Sequence, residues 1–146
     1  MAYIESYHSF TNTINEAAKY TEDNRIGTLA MYGLCLRDQI HIFHWQTEVG
    51  DMHTALGNFY DAFLLSFDNL MESIMGKYGR FKVSTLGMPV TFLDLNQVNP
   101  DEFAQTYVQV FENYKTTVFN NDTEIVNIIE EIIASIHKLQ YLLTMS

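Results

Sequence analysis

The stretch Met52–Tyr78, MHTALGNFYDAFLLSFDNLMESIMGKY, decides the fold. Leu56, Phe59, Phe63, Phe67, Leu70, Ile74 and Tyr78 recur every three or four positions, the spacing that lines one face of an α-helix. No proline interrupts the run, and Gly79 follows it as a C-terminal cap. A helix over Met52–Tyr78 is predicted, about 40 Å long at the α-helical rise.

Upstream, Ile26, Leu29, Gly33, Leu36, Ile40 and Phe43 form a second stripe of the same period, so an earlier helix faces the long one. An amphipathic lead-in over Thr11–Tyr20 precedes or extends it. Thr47–Asp51, with Gly50 inside, reads as a tight turn. Downstream the periodicity lapses from Phe81 to Asn99, with Gly87, Pro89 and Pro100 as punctuation, and a short helix is expected at Phe92–Asn96. A third helix opens with Asn99 as N-cap, Pro100 at its first position and Asp101 and Glu102 in its first turn. Its expected stripe is Phe103, Tyr107, Val110, Tyr114 and Val118. Asn120-Asn121-Asp122 turns the chain into a fourth helix starting at Thr123, with Ile125, Ile128, Ile129, Ile132, Ile136, Leu139 and Leu143 on its apolar face. The expectation is an all-α, four-helix bundle in which the second and third helices are joined by one long overhand crossover.

The chain has 146 residues, which suits a single domain: a lead-in over 1–24 and a bundle over 26–146. No window approaches a membrane span, and the opening MAYIESYHSF lacks the cationic and apolar regions of an export signal, so a cytoplasmic protein is expected. The single Cys35 excludes an intrachain disulfide framework and a CxxC zinc site. Acidic residues number 18 against 8 basic, giving a net charge of −10. Such a surface repels nucleic acid and anionic membrane and attracts cations.

Chemistry is sought among polar groups on helix faces, where burial without a partner is costly. His41 and His44 lie three apart on the first helix, and His53 opens the second just past the turn, so all three imidazoles are expected to converge. Asp68 and Glu72 are four apart on the second helix, a spacing suited to a shared cation. His53 and Asp68 are separated by about 22 Å along the helix, so one chain cannot put both on one metal. They nevertheless lie on broadly the same side of it. Two copies of the helix packed antiparallel about a twofold axis near Tyr60 and Asp61 would bring the His53 end of one chain to the Asp68 and Glu72 end of the other. Other features read as structural: the Phe, Tyr and Met residues of the long helix as core, Trp45 as an anchor under the turn, Asp61 as a dimer-contact or surface acid, His137 as a surface or interface residue, and Glu5 with His8 as an isolated pair.

The string His44-Trp45, Gly50, His53, Phe59-Tyr60-Asp61, Asp68 and Glu72 resembles the Dps family, the mini-ferritins. Family members carry a His-Trp pair at the end of the first helix, a second His opening the next, and an Asp and a Glu fifteen and nineteen positions later, the separations found from His53 to Asp68 and Glu72. Asp122-Thr123 and His137-Lys138 with Tyr141-Leu142-Leu143 continue the likeness, which covers about Ile26 to Leu143. The resemblance implies a ferritin-like four-helix bundle, homo-oligomers built from dimers into a dodecameric shell, and an intersubunit ferroxidase site that oxidises iron(II) for storage. Carried onto this chain, the metal ligands are His44 and His53 of one subunit with Asp68 and Glu72 of its twofold mate.

Two departures from the family pattern bear on this transfer. The usual acid four residues after the second His is Gly57 here, and the loop between the histidines is three residues shorter when counted from His44. Counted without a gap, His41 stands at the family separation, so either His41 or His44 is the ligand, and Glu48 or Asp51 is a candidate for the missing acid. Iron is the expected metal, with zinc and manganese as competitors for the same donors. Residues 1–25 hold only Lys19 and Arg25 against Glu5, Glu16, Glu22 and Asp23, so no direct DNA binding is expected. The alternative function is a catalytically degenerate ferritin-like oligomer that serves as a structural or protein-interaction module.

Overall fold

The computed structural model describes residues 20–146. The amphipathic lead-in expected before Tyr20 and the Glu5–His8 pair lie outside them. The described residues form four α-helices and no strand: α1 (Asn24–Gln46), α2 (Gly50–Tyr78), α3 (Pro100–Asn113) and α4 (Thr123–Leu143). None is long and apolar enough to cross a membrane among these residues.

Three helices begin on side chains that satisfy their free N–H groups. The Asp23 carboxylate accepts from Arg25 N, Asn99 Oδ1 from Asp101 N and Asp122 Oδ1 from Ile125 N. The long helix α2 starts two residues earlier than its apolar pattern, behind Val49, without a side-chain cap. Thr47 Oγ1 instead accepts from Val49 N and shapes the turn before it.

The stripes of α1, α2 and α4 enter one continuous core containing Leu29, Leu36, Ile40, Leu56, Phe63, Leu70, Ile129 and Ile136. Tyr78 ends the α2 stripe outside the core, exposed, where its hydroxyl reaches Asp122 instead. In α3 the buried residues after Pro100 are Ala104, Val108 and Phe111, one position beyond most of the expected stripe, and Phe103, Tyr107 and Val110 are half-buried at its edge. The chain then widens into a π-turn over Tyr114–Val118, where Phe119 N donates to Tyr114 O. Residues five apart diverge by about 140° on an α-helix, so the wider turn is what lets Tyr114 and Phe119 both face inward.

Helix α1 packs on α2 and α3, and α4 on α2 and α3. Residues 79–99 run lengthwise along α1: Lys82 O abuts Gly27, Leu93 meets Gln39, and Asp94 and Leu95 meet Gln46. α3 therefore starts at the same end of the bundle as α2, and the helices run up, down, down, up. The short helix expected at Phe92–Asn96 is absent. The backbone of Leu93 is held by the buried Gln39 amide, whose Oε1 accepts from Leu93 N and whose Nε2 donates to Leu93 O, and a turn follows at Leu95–Gln97. With both backbone groups of Leu93 tied to α1, the next backbone bond, Gln97 N to Asp94 O, closes a turn and not a helix.

Two glycines set how closely elements approach. A Cβ at Gly33 would lie 2.0 Å from the Phe67 ring, and one at Gly27 would lie 2.2 Å from Lys82 O. At the far end of α2, buried Asp122 accepts from Lys77 Nζ at 2.9 Å, from the Tyr78 hydroxyl and from the first turn of α4. The Lys77 ammonium, then the Tyr78 hydroxyl, hold its carboxyl down at about 2.

Gly33→Ala should destabilise the chain by about 1–3 kcal/mol in chemical denaturation because Phe67 cannot stay in place. Gly76→Ala, on a helical site with open space around it, should stabilise it by about 0.5–1 kcal/mol. A folded-state pKa below the unfolded value adds stability that is present above about pH 4 and is lost as the pH falls toward 2. Asp122→Asn should therefore flatten the fall in melting temperature between about pH 5 and pH 2.

Candidate metal centre

The α1–α2 hairpin brings the end of one helix beside the start of the next, and this places two of the predicted histidines face to face. The His44 and His53 rings stack with centroids 3.7 Å apart and planes inclined by 20°. Each ring bonds to the other residue's backbone: His44 Nδ1 to His53 O at 2.7 Å, and His53 Nδ1 to His44 O at 2.8 Å. A carbonyl oxygen only accepts, so both Nδ1 atoms carry the proton. In the neutral rings each Nε2 then keeps its lone pair, the state that a metal-binding imidazole requires.

Gly57 leaves room for the His44 ring. A Cβ there would stand 2.8 Å from His44 Cε1 and 3.0 Å from His44 Nδ1. The imidazole of His44 lies across α2 where a side chain at position 57 would begin. An acid at this position and His44 in this orientation exclude one another.

His41 is 6.0 Å from His44 between centroids and belongs to a neighbouring stack. Its ring lies between Trp45 and Tyr60, each 4.0 Å away, and the Arg37 guanidinium stands 5.8 Å from the Tyr60 centroid. Asp68 and Glu72 are exposed on α2 and make no ion pair among the described residues. The chain by itself leaves them about 22 Å or more along the helix from His53. Glu48 and Asp51 are exposed around the turn and face different hollows. Glu48 lines an open groove of about 690 Å³ with Gln46, Met52, Asp94 and Pro100, whereas Asp51 lies beside Thr54, Asn58 and Met145. Among the described residues no three His, Cys, Asp or Glu side chains of one chain come close enough to hold a metal.

Sequence reasoning passed over Gln39, Gln46 and Arg37. Gln39 carried a signal, a polar residue between Leu36 and Ile40 on an apolar stripe, and it is buried with its amide fully used by the crossover. Gln46, seven residues on, repeats the device: its Oε1 accepts from Leu95 N and its Nε2 donates to Asp94.

Nitrogen-detected NMR near pH 8 should find both His44 and His53 as the Nδ1–H tautomer. In Gly57→Ala the added methyl should drive His44 from its place and return its ring to the commoner Nε2–H form. An unchanged His44 signal would show that the ring does not rest on Gly57.

Comparison with curated proteins and with solved structures finds no match in either. Residues 44–143, more than half of the chain, match one family model, beginning at His44 and taking in α2, the crossover, α3 and α4. The chain belongs to DUF5856, a family of unknown function.

Proposed function

We propose that this chain is a ferritin-like subunit that pairs about a twofold axis through α2 and binds iron(II) between subunits for oxidation and storage. The up-down-down-up order with one long crossover along α1 supports the ferritin-like reading, because that connection separates such bundles from simple up-and-down ones. The single observation that carries the metal assignment is the reciprocal bonding of His44 and His53, which fixes both rings and directs the proton to Nδ1. The matching carboxylates, Asp68 and Glu72, stand exposed at the other end of the same helix. An antiparallel mate supplies them to the histidine end.

Two imidazole nitrogens and two carboxylates suit iron in both its oxidation states, and the −10 charge concentrates cations around the protein. Zinc and manganese suit the same donors and compete. With Gly57 in place of the family's acid, the donor set at each site is two nitrogens and two carboxylates. Iron(II) is the substrate: each ion gives up one electron to oxygen or peroxide and is retained as iron(III). A twelve-subunit shell and a cytoplasmic location complete this reading. The shell comes from the resemblance, and the lone Cys35 suits a reducing compartment.

One observation favours a second reading. The His44–His53 bonds already close the hairpin without any metal, and no three-donor group exists within one chain among the described residues. An oligomeric scaffold that has lost its metal would keep that staple and would purify and reconstitute without stoichiometric iron.

Iron(II) titration in air, followed by ferric absorbance, separates the two. The parent should oxidise iron at least about tenfold faster than His53→Ala/Asp68→Ala, the scale on which metal-site support is lost. Equal rates in both, with no iron retained in elemental analysis, would remove the site and leave the scaffold.

A further inference from the structure

We propose that the twofold contact is built on a reciprocal charge pair, Arg37 of each protomer with the partner's Asp61, framed by Leu34, Leu65 and Trp45. The occupant of this face is a second copy of the chain, and the inference rests on the antiparallel pairing proposed above.

Arg37 is the starting observation. Its Nε is buried and has no hydrogen-bond partner among the described residues, although burying a guanidinium nitrogen unpaired is costly. Its nearest carboxylate is that of Asp38, at 3.6 Å, too long for a hydrogen bond. The guanidinium is held beside the Tyr60 ring at 5.8 Å, which fixes its position near the outer face of α2. The next residue, Asp61, is exposed and makes no ion pair among the described residues, with Arg37 or any other cation. The described residues therefore hold an under-used cation against Tyr60 and an under-used anion on the next residue of α2, with no ion pair between them.

The register makes these two groups partners across the axis. A twofold that sets His53 against Asp68 and Glu72 passes midway between them, close to Asp61. Two Asp61 carboxylates then approach one another, in a chain that already carries −10. Like charges meeting at an axis oppose association unless a cation accompanies each. Arg37, one side chain away over Tyr60, is the cation at that level. Around it the surface is apolar: Leu65 is 72% exposed, Trp45 68% and Leu34 53%. Leu34, His41 and Trp45 fall on one stripe of α1, and Leu65 lies one turn beyond Asp61 on α2. An apolar surround with opposite charges in a self-complementary order is what an isologous contact needs.

The test measures mass by analytical ultracentrifugation with a chelator present, so that iron binding plays no part in the readout. The full-length parent should be at least dimeric. Arg37→Asp and Asp61→Arg should each raise the dissociation constant about tenfold or more, with helical content unchanged by circular dichroism. An equimolar mixture of the two variants should recover the parent's affinity to within about threefold, because one chain is then acidic and the other basic at both positions. Only pairing between chains gives that rescue. Asp61→Asn weakens association in the same direction, by less than the reversal, should Arg37→Asp fail to fold. A monomeric parent would assign the face to residues 1–19 or to another protein and would overturn the inference. Undiminished single variants, or a mixture that stays dissociated, would overturn it too. Failure of the iron reading appears separately, as a dimer with intact rescue that oxidises no iron.

Discussion

The approach of α1 to α2 depends on rings lying in notches where a side chain is missing. Phe67 sits on Gly33, and His44 sits on Gly57, so each helix offers the other one glycine. A methyl group at either position would displace an aromatic ring, and close-packed interiors have no spare volume to absorb that movement. These contacts fix the rotation of α2 against α1. That rotation directs Phe59, Phe63 and Phe67 inward and leaves Asp61, Leu65, Asp68 and Glu72 outside. Everything that the outer face of α2 can do follows from it.

The crossover depends on α1 in a different way. Residues 79–99 hold few apolar side chains in the core, so burial alone does little to fix their path. Gln39 and Gln46 supply backbone-like amides two helical turns apart, and the crossover bonds to them as it would to a neighbouring strand. Gly27 admits the carbonyl of Lys82 at the other end. With both ends fixed, α3 must begin beside the α1–α2 turn, and the up-down-down-up order results. Asp122 closes the opposite end by joining the last turn of α2 to the first turn of α4.

Charge is distributed along α2 so that its two ends differ. Imidazoles gather at the start, where His44 and His53 use their Nδ1 protons on each other's carbonyls. The exposed carboxylates of Asp68 and Glu72 stand in its second half, in no ion pair among the described residues and ahead of Lys77 in the last turn. A helix with unlike ends is self-complementary when it meets a reversed copy, and that property links the proposed metal chemistry to assembly. Gly57 belongs to the same arrangement, since the space that a carboxylate would need is filled by the His44 ring.

Much of this was legible in the chain itself. Periodicity places four helices, and Asp122, Asn99 and Pro100 mark the starts of two of them, because capping is a contact between residues two or three apart. The histidine and acid spacings are likewise local, and so is the distance that forbids His53 and Asp68 from sharing a metal within one chain. The rest involves contacts between residues far apart in sequence. The π-turn after α3 brings Phe119 inward where the expected stripe had Val118, and Leu93, in the segment expected to be helical, is bonded to an amide on α1. Local pattern likewise leaves His44 and His41 equivalent. Only the tertiary structure distinguishes them, stacking one on His53 and the other between Trp45 and Tyr60, because the turn between the helices decides which ring reaches across.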